Sequence, residues 1–98
     1  MAEIRIGQEA EAEYTISLRW YSARSQRAAE GFETAFASVI GQIGQFPERF
    51  PTSDVEGFRY AVLSGYPYSL IYRITETVVD VVALAHARRR PGYWAKRS

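Results

Sequence analysis

The side chains best suited to chemistry lie near the C-terminus, where His86 is followed closely by Arg88, Arg89 and Arg90. Three neighbouring guanidinium groups disfavour a further positive charge, so His86 could serve as a neutral base. A histidine that simply hydrogen-bonds to a neighbouring strand or loop is the alternative. The arginines could bind the phosphates of a nucleic acid or the carboxylates of a protein. A merely solvated cluster of charges would look the same in the sequence.

Two aromatic residues, Tyr93 and Trp94, follow the turn signal Pro91-Gly92. Large rings on a terminal segment either hold that segment against the domain or form a docking surface beside the cations. We expect both, with Trp94 packed inward and Tyr93 presented outward. Residues 86–98 are called the C-terminal segment below, and we interpret them as the functional end of the chain.

Positive charge is concentrated in this part of the chain. Residues 1–80 hold seven Arg against eleven Asp or Glu, a net charge of −4, whereas residues 81–98 hold four Arg, one Lys and no acid, a net charge of +5. Eleven of the twelve cations are arginine, which suits planar contacts with carboxylates and phosphates. The acidic body argues against a stand-alone nucleic-acid-binding module, because it would repel a polyanion.

Composition excludes several other classes of protein. The 98 residues include no Cys and a single His, so a disulfide framework, a transition-metal site and a cofactor are not expected. Glutamates at positions 3, 9, 11 and 13 interrupt the apolar run that a signal peptide needs, and no run of roughly 18 apolar residues could span a membrane. We therefore expect a cytoplasmic protein without a membrane partner.

Hydrophobic periodicity predicts two helices and four strands in a single domain spanning residues 1–98. The helices are predicted at 8–23 and 26–45, and the strands at 2–6, 58–63, 68–74 and 78–85. Residues 46–56 contain two prolines and no clear period, which is typical of a loop.

Short connections indicate how these elements pack. The two helices must fold back as an antiparallel hairpin, and the last three strands must form an antiparallel meander. The almost continuously apolar strand 78–85 is expected at the centre, with the first strand beside it. The predicted fold class is α+β in the order β-α-α-β-β-β, with the helical hairpin on one face of a small, mainly antiparallel sheet. The other face is expected to be at least partly available.

Charged residues in the body allow further expectations. Glu9, Glu11 and Glu13 begin the first helix, where negative charge is favourable, and we interpret them as a solvated face. Arg59 and Arg73 lie opposite the main aromatic stripes of their strands. If the C-terminal segment folds over that face, both would extend its positive patch. Contact with acids across the sheet, such as Asp80 or Glu76, is the alternative.

The order and spacing of several motifs carry a resemblance that spans nearly the whole chain. These motifs are Glu13-Tyr14, Trp20-Tyr21, Phe32, Phe46-Pro47, Phe50-Pro51, Arg59, Tyr66-Pro67-Tyr68-x-Leu70-Ile71-Tyr72 and His86-x-Arg88-Arg89-x-Pro91-Gly92-Tyr93-Trp94. Together they resemble the RelE/ParE superfamily of toxins from bacterial type II toxin–antitoxin modules, also called plasmid stabilisation proteins. The resemblance implies the fold given above and a cognate antitoxin that wraps and neutralises the toxin.

Two activities occur in that superfamily. RelE-like members cut messenger RNA in the ribosomal A site, and ParE-like members poison DNA gyrase. An arginine of the ribonucleases would fall at Ser69 here, so one phosphate clamp is missing. If the chain is a ribonuclease, the resemblance implies His86, Arg88 and Tyr93 as its catalytic residues.

The segment from Pro67 to Tyr72 is more similar to the ParE branch. We therefore expect a toxin that inhibits DNA gyrase by binding. A ribosome-dependent mRNA endonuclease, with the ribosome and mRNA as partners, is the alternative. The residues expected to bind the target are Arg59, Arg73, Arg88, Arg89, Arg90, Tyr93, Trp94, Lys96 and Arg97.

Overall fold

The structure is a computed structural model that describes residues 1–97. Its elements follow the order predicted from the sequence and are β1 (Glu3–Ile6), α1 (Gln8–Arg24), α2 (Gln26–Gln45), β2 (Arg59–Val62), β3 (Tyr68–Thr75) and β4 (Val78–His86). The α+β class and the β-α-α-β-β-β order are confirmed. None of these helices is both long and apolar enough to cross a membrane.

A single residue, Ser25, separates the two helices. It is the C-cap of α1, and its side chain accepts a hydrogen bond from the Ala28 N–H at 3.2 Å as the N-cap of α2. The two helices therefore fold back on each other. Tyr14 and Tyr21 of α1 stack on Phe32 of α2 with ring centroids 5.5 and 5.1 Å apart.

The sheet has the strand order β1-β4-β3-β2. β4 lies inside the sheet, as its apolar run predicts, and pairs antiparallel with β3 and parallel with β1. The parallel pair is possible because the helical hairpin carries the chain back to the start of the sheet. Its last hydrogen bond runs from the Gly7 N–H to the Val81 carbonyl at 2.8 Å. A Cβ at position 7 would lie only 3.1 Å from that oxygen, which explains the glycine.

One face of the sheet packs against the helices. Leu70, Tyr72, Val79 and Val81 are almost fully buried there against Phe32 and other apolar residues of the hairpin. The opposite face is covered in part by the turns that follow β4. Residues 87–97 fold back over the sheet, and Trp94 packs against Phe58, Ile71, Val82 and Ala83 in a second, smaller core.

An irregularity in the β3–β4 pairing lies beside this second core. Ile71 is opposite Ala83 whereas Tyr72 is opposite Val81, so Val82 is an extra residue on β4 and forms a bulge. The β1 partner also ends at Val81. The backbone groups of β4 beyond Val81 therefore need hydrogen-bond partners other than β1.

Candidate functional site

Glu13 of α1 fixes the C-terminal segment to the rest of the protein. Its carboxylate accepts hydrogen bonds from the Tyr93 hydroxyl at 2.6 Å, from both terminal nitrogens of Arg97 at 2.9 and 3.2 Å, and from the Leu84 N–H at 3.0 Å. Only 16% of each charged side chain of the Glu13–Arg97 pair is exposed. The prediction that Glu13 belongs to a solvated face is therefore wrong. Glu11 is exposed as predicted, and Glu9 is mostly exposed but also forms an ion pair with Arg97 Nε at 3.4 Å.

The same contacts satisfy the irregular part of β4. Arg97 donates to the Val82 carbonyl at 3.0 Å, at the bulge, while Glu13 accepts from the Leu84 amide. Two side chains thus provide the hydrogen bonds that β1 would have provided had it been longer. We call Glu13, Tyr93 and Arg97 the anchor cluster.

Protonation in the anchor cluster is stabilised by these contacts. Burial and the hydrogen bond to Glu13 raise the pKa of Tyr93 above its ordinary value. The hydrogen bonds to Glu13 also raise the pKa of Arg97. Tyr93 therefore remains a neutral donor and Arg97 a cation across the physiological pH range.

Three residues of the C-terminal segment that are predicted to bind the target make contacts within the fold. Trp94 is only 5% exposed and its ring meets that of Phe58 at 4.9 Å, so the inward packing predicted for it is confirmed. Tyr93 is partly buried, and its hydroxyl is directed at Glu13 and not outward as predicted. Arg97 is bound to Glu13. Because these side chains are engaged within the fold, they offer a target little free surface.

The remaining cations of the C-terminal segment are exposed. Arg88, Arg89, Arg90 and Lys96 all lie on the surface and make no ion pair with any residue in 1–97. The Arg89 guanidinium stacks on the Tyr93 ring at 3.9 Å from its centroid. We call Arg88, Arg89 and Arg90 the arginine tip. It follows β4 after Ala87, and the contact between Arg89 and Tyr93 joins it to the anchor cluster.

A cleft of about 450 Å³ lies beside the arginine tip. It is lined by residues 52–55 and by the turns from Arg89 to Trp94. Its floor comes from the outer face of the sheet and contains Ile71 and Ala85. Gly92 has a φ of +77°, a left-handed conformation that favours glycine, and its turn lies next to Val55.

His86 also lines this cleft. Its Nδ1 accepts a hydrogen bond from the Arg88 backbone N–H at 3.0 Å, and its ring meets Tyr68 edge-on at 5.0 Å. The local hydrogen bond that the sequence left open as an alternative is therefore present. It also leaves Nε2 as the nitrogen that carries the proton in the neutral ring.

The structure separates Arg59 and Arg73, which were expected to extend one positive patch together. Arg59 pairs with Tyr72 and so lies on the helical side, where it donates to the carbonyls of Glu48 and Phe50 at 3.2 and 2.6 Å. Arg73 lies on the opposite side, 5.8 Å from the Phe58 ring. The joint patch is a wrong prediction, because the aromatic stripes of the two strands face opposite sides of the sheet.

The three residues implied for a ribonuclease are only partly brought together. His86 and Tyr93 both line the cleft, but Arg88 does not. The Tyr93 hydroxyl is bonded to Glu13. Ser69 lies among the lining residues, at the position where the ribonucleases are expected to carry arginine.

Glu13 is the residue that sequence reasoning missed. A signal was present, since Ala10 and Ser17 are both buried in α1, and Glu13 follows the same spacing of three and four residues. A carboxylate on the buried stripe of a helix needs a partner. The partner lies in the C-terminal segment, too far along the chain for the pattern to identify.

Comparison with known proteins assigns the family. A sequence model described as the ParE toxin of the type II toxin–antitoxin system, parDE, matches residues 4–91. No curated protein matches the sequence significantly. A solved structure described as the chromosomal ParDE TA system from P. aeruginosa has a TM-score of 0.69 and 17% identity, and the alignment covers 90% of this chain and 98% of that one. At this identity the likeness shows a shared fold. Because the family model matches most of its length, the chain belongs to the ParE toxin family of type II toxin–antitoxin systems.

Proposed function

We propose that this chain inhibits DNA gyrase by direct binding, that the arginine tip contacts the gyrase, and that a cognate antitoxin keeps the toxin inactive. The exposure of the arginine tip is the main observation that supports its assignment as the binding surface. Arg88, Arg89 and Arg90 are exposed together on a turn whose base is fixed by the anchor cluster. Charges held on a rigid base lose little conformational freedom on binding, which favours affinity.

The chemistry of the site also favours binding over catalysis. Cleavage of a phosphodiester needs a base, an acid and charge stabilisation, each contributing roughly 100-fold or more. Here the one donor proton of Tyr93 is used by Glu13, and Arg88 lies outside the cleft that His86 lines. Inhibition of a large enzyme by binding needs only a complementary surface.

A supercoiling assay tests the proposal. The triple variant Arg88→Glu, Arg89→Glu and Arg90→Glu should require at least about tenfold more toxin for half-inhibition of purified gyrase, because reversed charges repel the surface they formerly contacted. The matched control reverses Arg19, Arg27 and Arg49, which are exposed on the helices and the loop. This control variant changes the net charge by the same amount and should inhibit gyrase at the same concentration as the wild-type protein.

Truncation of the C-terminal segment is a poor substitute for this experiment. Removal of residues 88–98 would also remove Trp94 and Arg97, which belong to the second core and the anchor cluster. Charge reversal leaves both in place. Equal inhibition by the two triple variants would contradict the assignment of the arginine tip, and failure of the original chain to inhibit gyrase would contradict the target.

The ribonuclease alternative has one observation in its favour, since His86 lies in the cleft together with Arg89 and Arg90. A translation extract with mapped mRNA ends provides the test. Cuts in phase with codons that disappear in a His86→Ala variant would replace the gyrase proposal. Intact mRNA together with lost supercoiling would support it.

A further inference from the structure

We infer that the cleft beside the arginine tip binds an Asp or Glu side chain of the target polypeptide, with Arg89 gripping the carboxylate. The inference rests on the proposed function for the identity of the partner. The cleft itself is defined by the structure alone. Its volume of about 450 Å³ falls within the range of roughly 300–1,000 Å³ that is usual for small-ligand sites.

Arg89 is held in a geometry that suits a planar ligand. Its guanidinium lies over the Tyr93 ring at 3.9 Å, and the hydroxyl of that tyrosine is fixed by Glu13. Arg89 is exposed, and its guanidinium makes no side-chain hydrogen bond or ion pair with the described residues, so its N–H groups are available to a ligand. Those N–H groups match the two oxygens of a carboxylate, a geometry that the ammonium of a lysine cannot reproduce.

The charge around the cleft suits one carboxylate better than a chain of phosphates. Its lining contains the cations Arg89 and Arg90 and the acid Asp54. These two cations and one acid leave a single positive charge to be neutralised by a ligand. Residues 1–80 carry a net charge of −4, which repels a polyanion approaching the rest of the surface.

The aromatic residues point to the same partner. Proteins that bind single-stranded nucleic acids stack bases on free ring faces. Tyr93 carries the guanidinium of Arg89 at 3.9 Å and that of Arg97 at 5.0 Å, and Trp94 is only 5% exposed. Trp94 therefore offers no free face to a base, and the Tyr93 ring already has two guanidinium groups beside it.

The floor of the cleft fits the neighbours of an acidic residue in a polypeptide. Ile71, Ala85 and Trp94 form an apolar surface below the arginines. An aliphatic side chain next to the acidic one could be buried there while the carboxylate meets Arg89. A free phosphate ion has no group that would use this surface.

Titration of the full chain with short peptides tests the inference without gyrase. The probe is the blocked tripeptide acetyl-Leu-Glu-Leu-amide, followed by chemical-shift changes at the Arg89 side chain and the Trp94 indole N–H. The peptide with Gln in place of Glu should bind about tenfold more weakly, because it cannot form the charge-assisted pair. Arg89→Ala should weaken the Glu peptide to the level of the Gln peptide, and Arg27→Ala, an equal loss of charge on α2, should not.

Each outcome of the peptide titration either supports or overturns the carboxylate pocket. Equal binding of the two peptides, binding that survives Arg89→Ala, or shifts confined to residues outside the cleft would overturn the inference. Tighter binding of adenosine 5′-monophosphate or inorganic phosphate at Arg89 would overturn it in favour of a phosphate site. If the Glu peptide binds as expected but the chain does not inhibit gyrase, the proposed function fails and the carboxylate pocket stands. If gyrase is inhibited but the peptide test fails, only the pocket is wrong.

Discussion

Glu13 and Arg97 are 84 residues apart in the sequence, yet their side chains form a doubly hydrogen-bonded ion pair with N–O distances of 2.9 and 3.2 Å. The pair lies between α1 and the last turn of the C-terminal segment, next to the bulge in β4. It explains how a terminal segment rich in cations can have a fixed position. The arginine tip is displayed by a loop that is tied at both ends, at β4 and at the anchor cluster.

The first prediction concerns the stability that this ion pair provides. Replacement of Glu13 by Ala leaves the Tyr93 hydroxyl and the Leu84 N–H without their acceptor. Arg97 loses its mostly buried partner and keeps only the Val82 carbonyl and the exposed Glu9 carboxylate at 3.4 Å. Loss of one partner of a mostly buried pair costs about 3 kcal/mol. We expect the free energy of unfolding, measured by urea denaturation, to fall by about that amount.

Glu11→Ala is the matched control for this experiment, because Glu11 is an exposed glutamate on the same helix. A surface change of this kind should stay within about 0.5 kcal/mol. If the two variants unfold at the same urea concentration, the contacts of Glu13 add nothing to stability.

The second prediction compares the two tryptophans. Trp94 is buried in the second core, whereas Trp20 is 50% exposed on α1 beneath the Arg24 guanidinium. Trp94→Ala should lower the free energy of unfolding by about 3 kcal/mol or more, since truncation of a buried aromatic leaves a cavity. Trp20→Ala should cost about 1 kcal/mol or less. Thermal unfolding followed by circular dichroism measures both, and the reverse order would show that the C-terminal segment is not packed as described.

The third prediction is a loss of stability at alkaline pH. The pKa of Tyr93 is raised by burial and by its hydrogen bond to Glu13, relative to the ordinary value of 10.0. The folded protein therefore holds this proton more tightly than the unfolded chain does. Its contribution is complete below pH 10 and is lost as the pH rises further.

Burial likewise raises the pKa of Tyr14, Tyr21 and Tyr72. The free energy of unfolding should therefore fall above pH 10 in the original chain and fall less steeply in Tyr93→Phe. Each proton that only the folded protein retains lowers the free energy of unfolding by on the order of 1 kcal/mol per pH unit. Denaturation at a series of pH values between 8 and 11 measures this slope. Identical slopes for the two proteins would contradict the assigned environment of the Tyr93 hydroxyl.

The fourth prediction concerns the loop between α2 and β2. Arg59 donates to the carbonyls of Glu48 and Phe50, and the Tyr72 hydroxyl donates to that of Pro47. Arg59→Ala removes two of these bonds and should loosen the loop locally. Native-state trypsin cleavage after Arg49, followed by mass spectrometry, should become about tenfold faster, because local opening exposes the site.

Arg27→Ala serves as the control for proteolysis, because Arg27 is exposed on α2 and remote from the loop. Its rate of cleavage after Arg49 should match that of the original chain. An unchanged rate in Arg59→Ala would mean that the loop is held by its apolar contacts alone, such as that between Phe50 and Tyr72.

Much of the fold was predictable because it depends on local patterns. Helical spacing located α1 and α2 to within a residue or so, and the continuous apolar run of β4 indicated its place inside the sheet. Periodicity reports which residues share a face of one element, and short connections limit how neighbouring elements pack. The bulge at Val82 was not predictable, since an apolar run gives no sign of which backbone groups stay paired.

The C-terminal segment likewise has features that the sequence predicts and features that only the tertiary structure determines. By itself the sequence determined the order of the elements, the family resemblance and the concentration of cations after residue 80. Only the tertiary structure decided which cations are free: Arg97 is bound to Glu13, Arg59 is turned to the helical side, and the arginine tip remains exposed. The physical reason is that charge composition and periodicity are local properties. Whether a cation meets an acid or solvent depends on contacts between residues far apart in the chain.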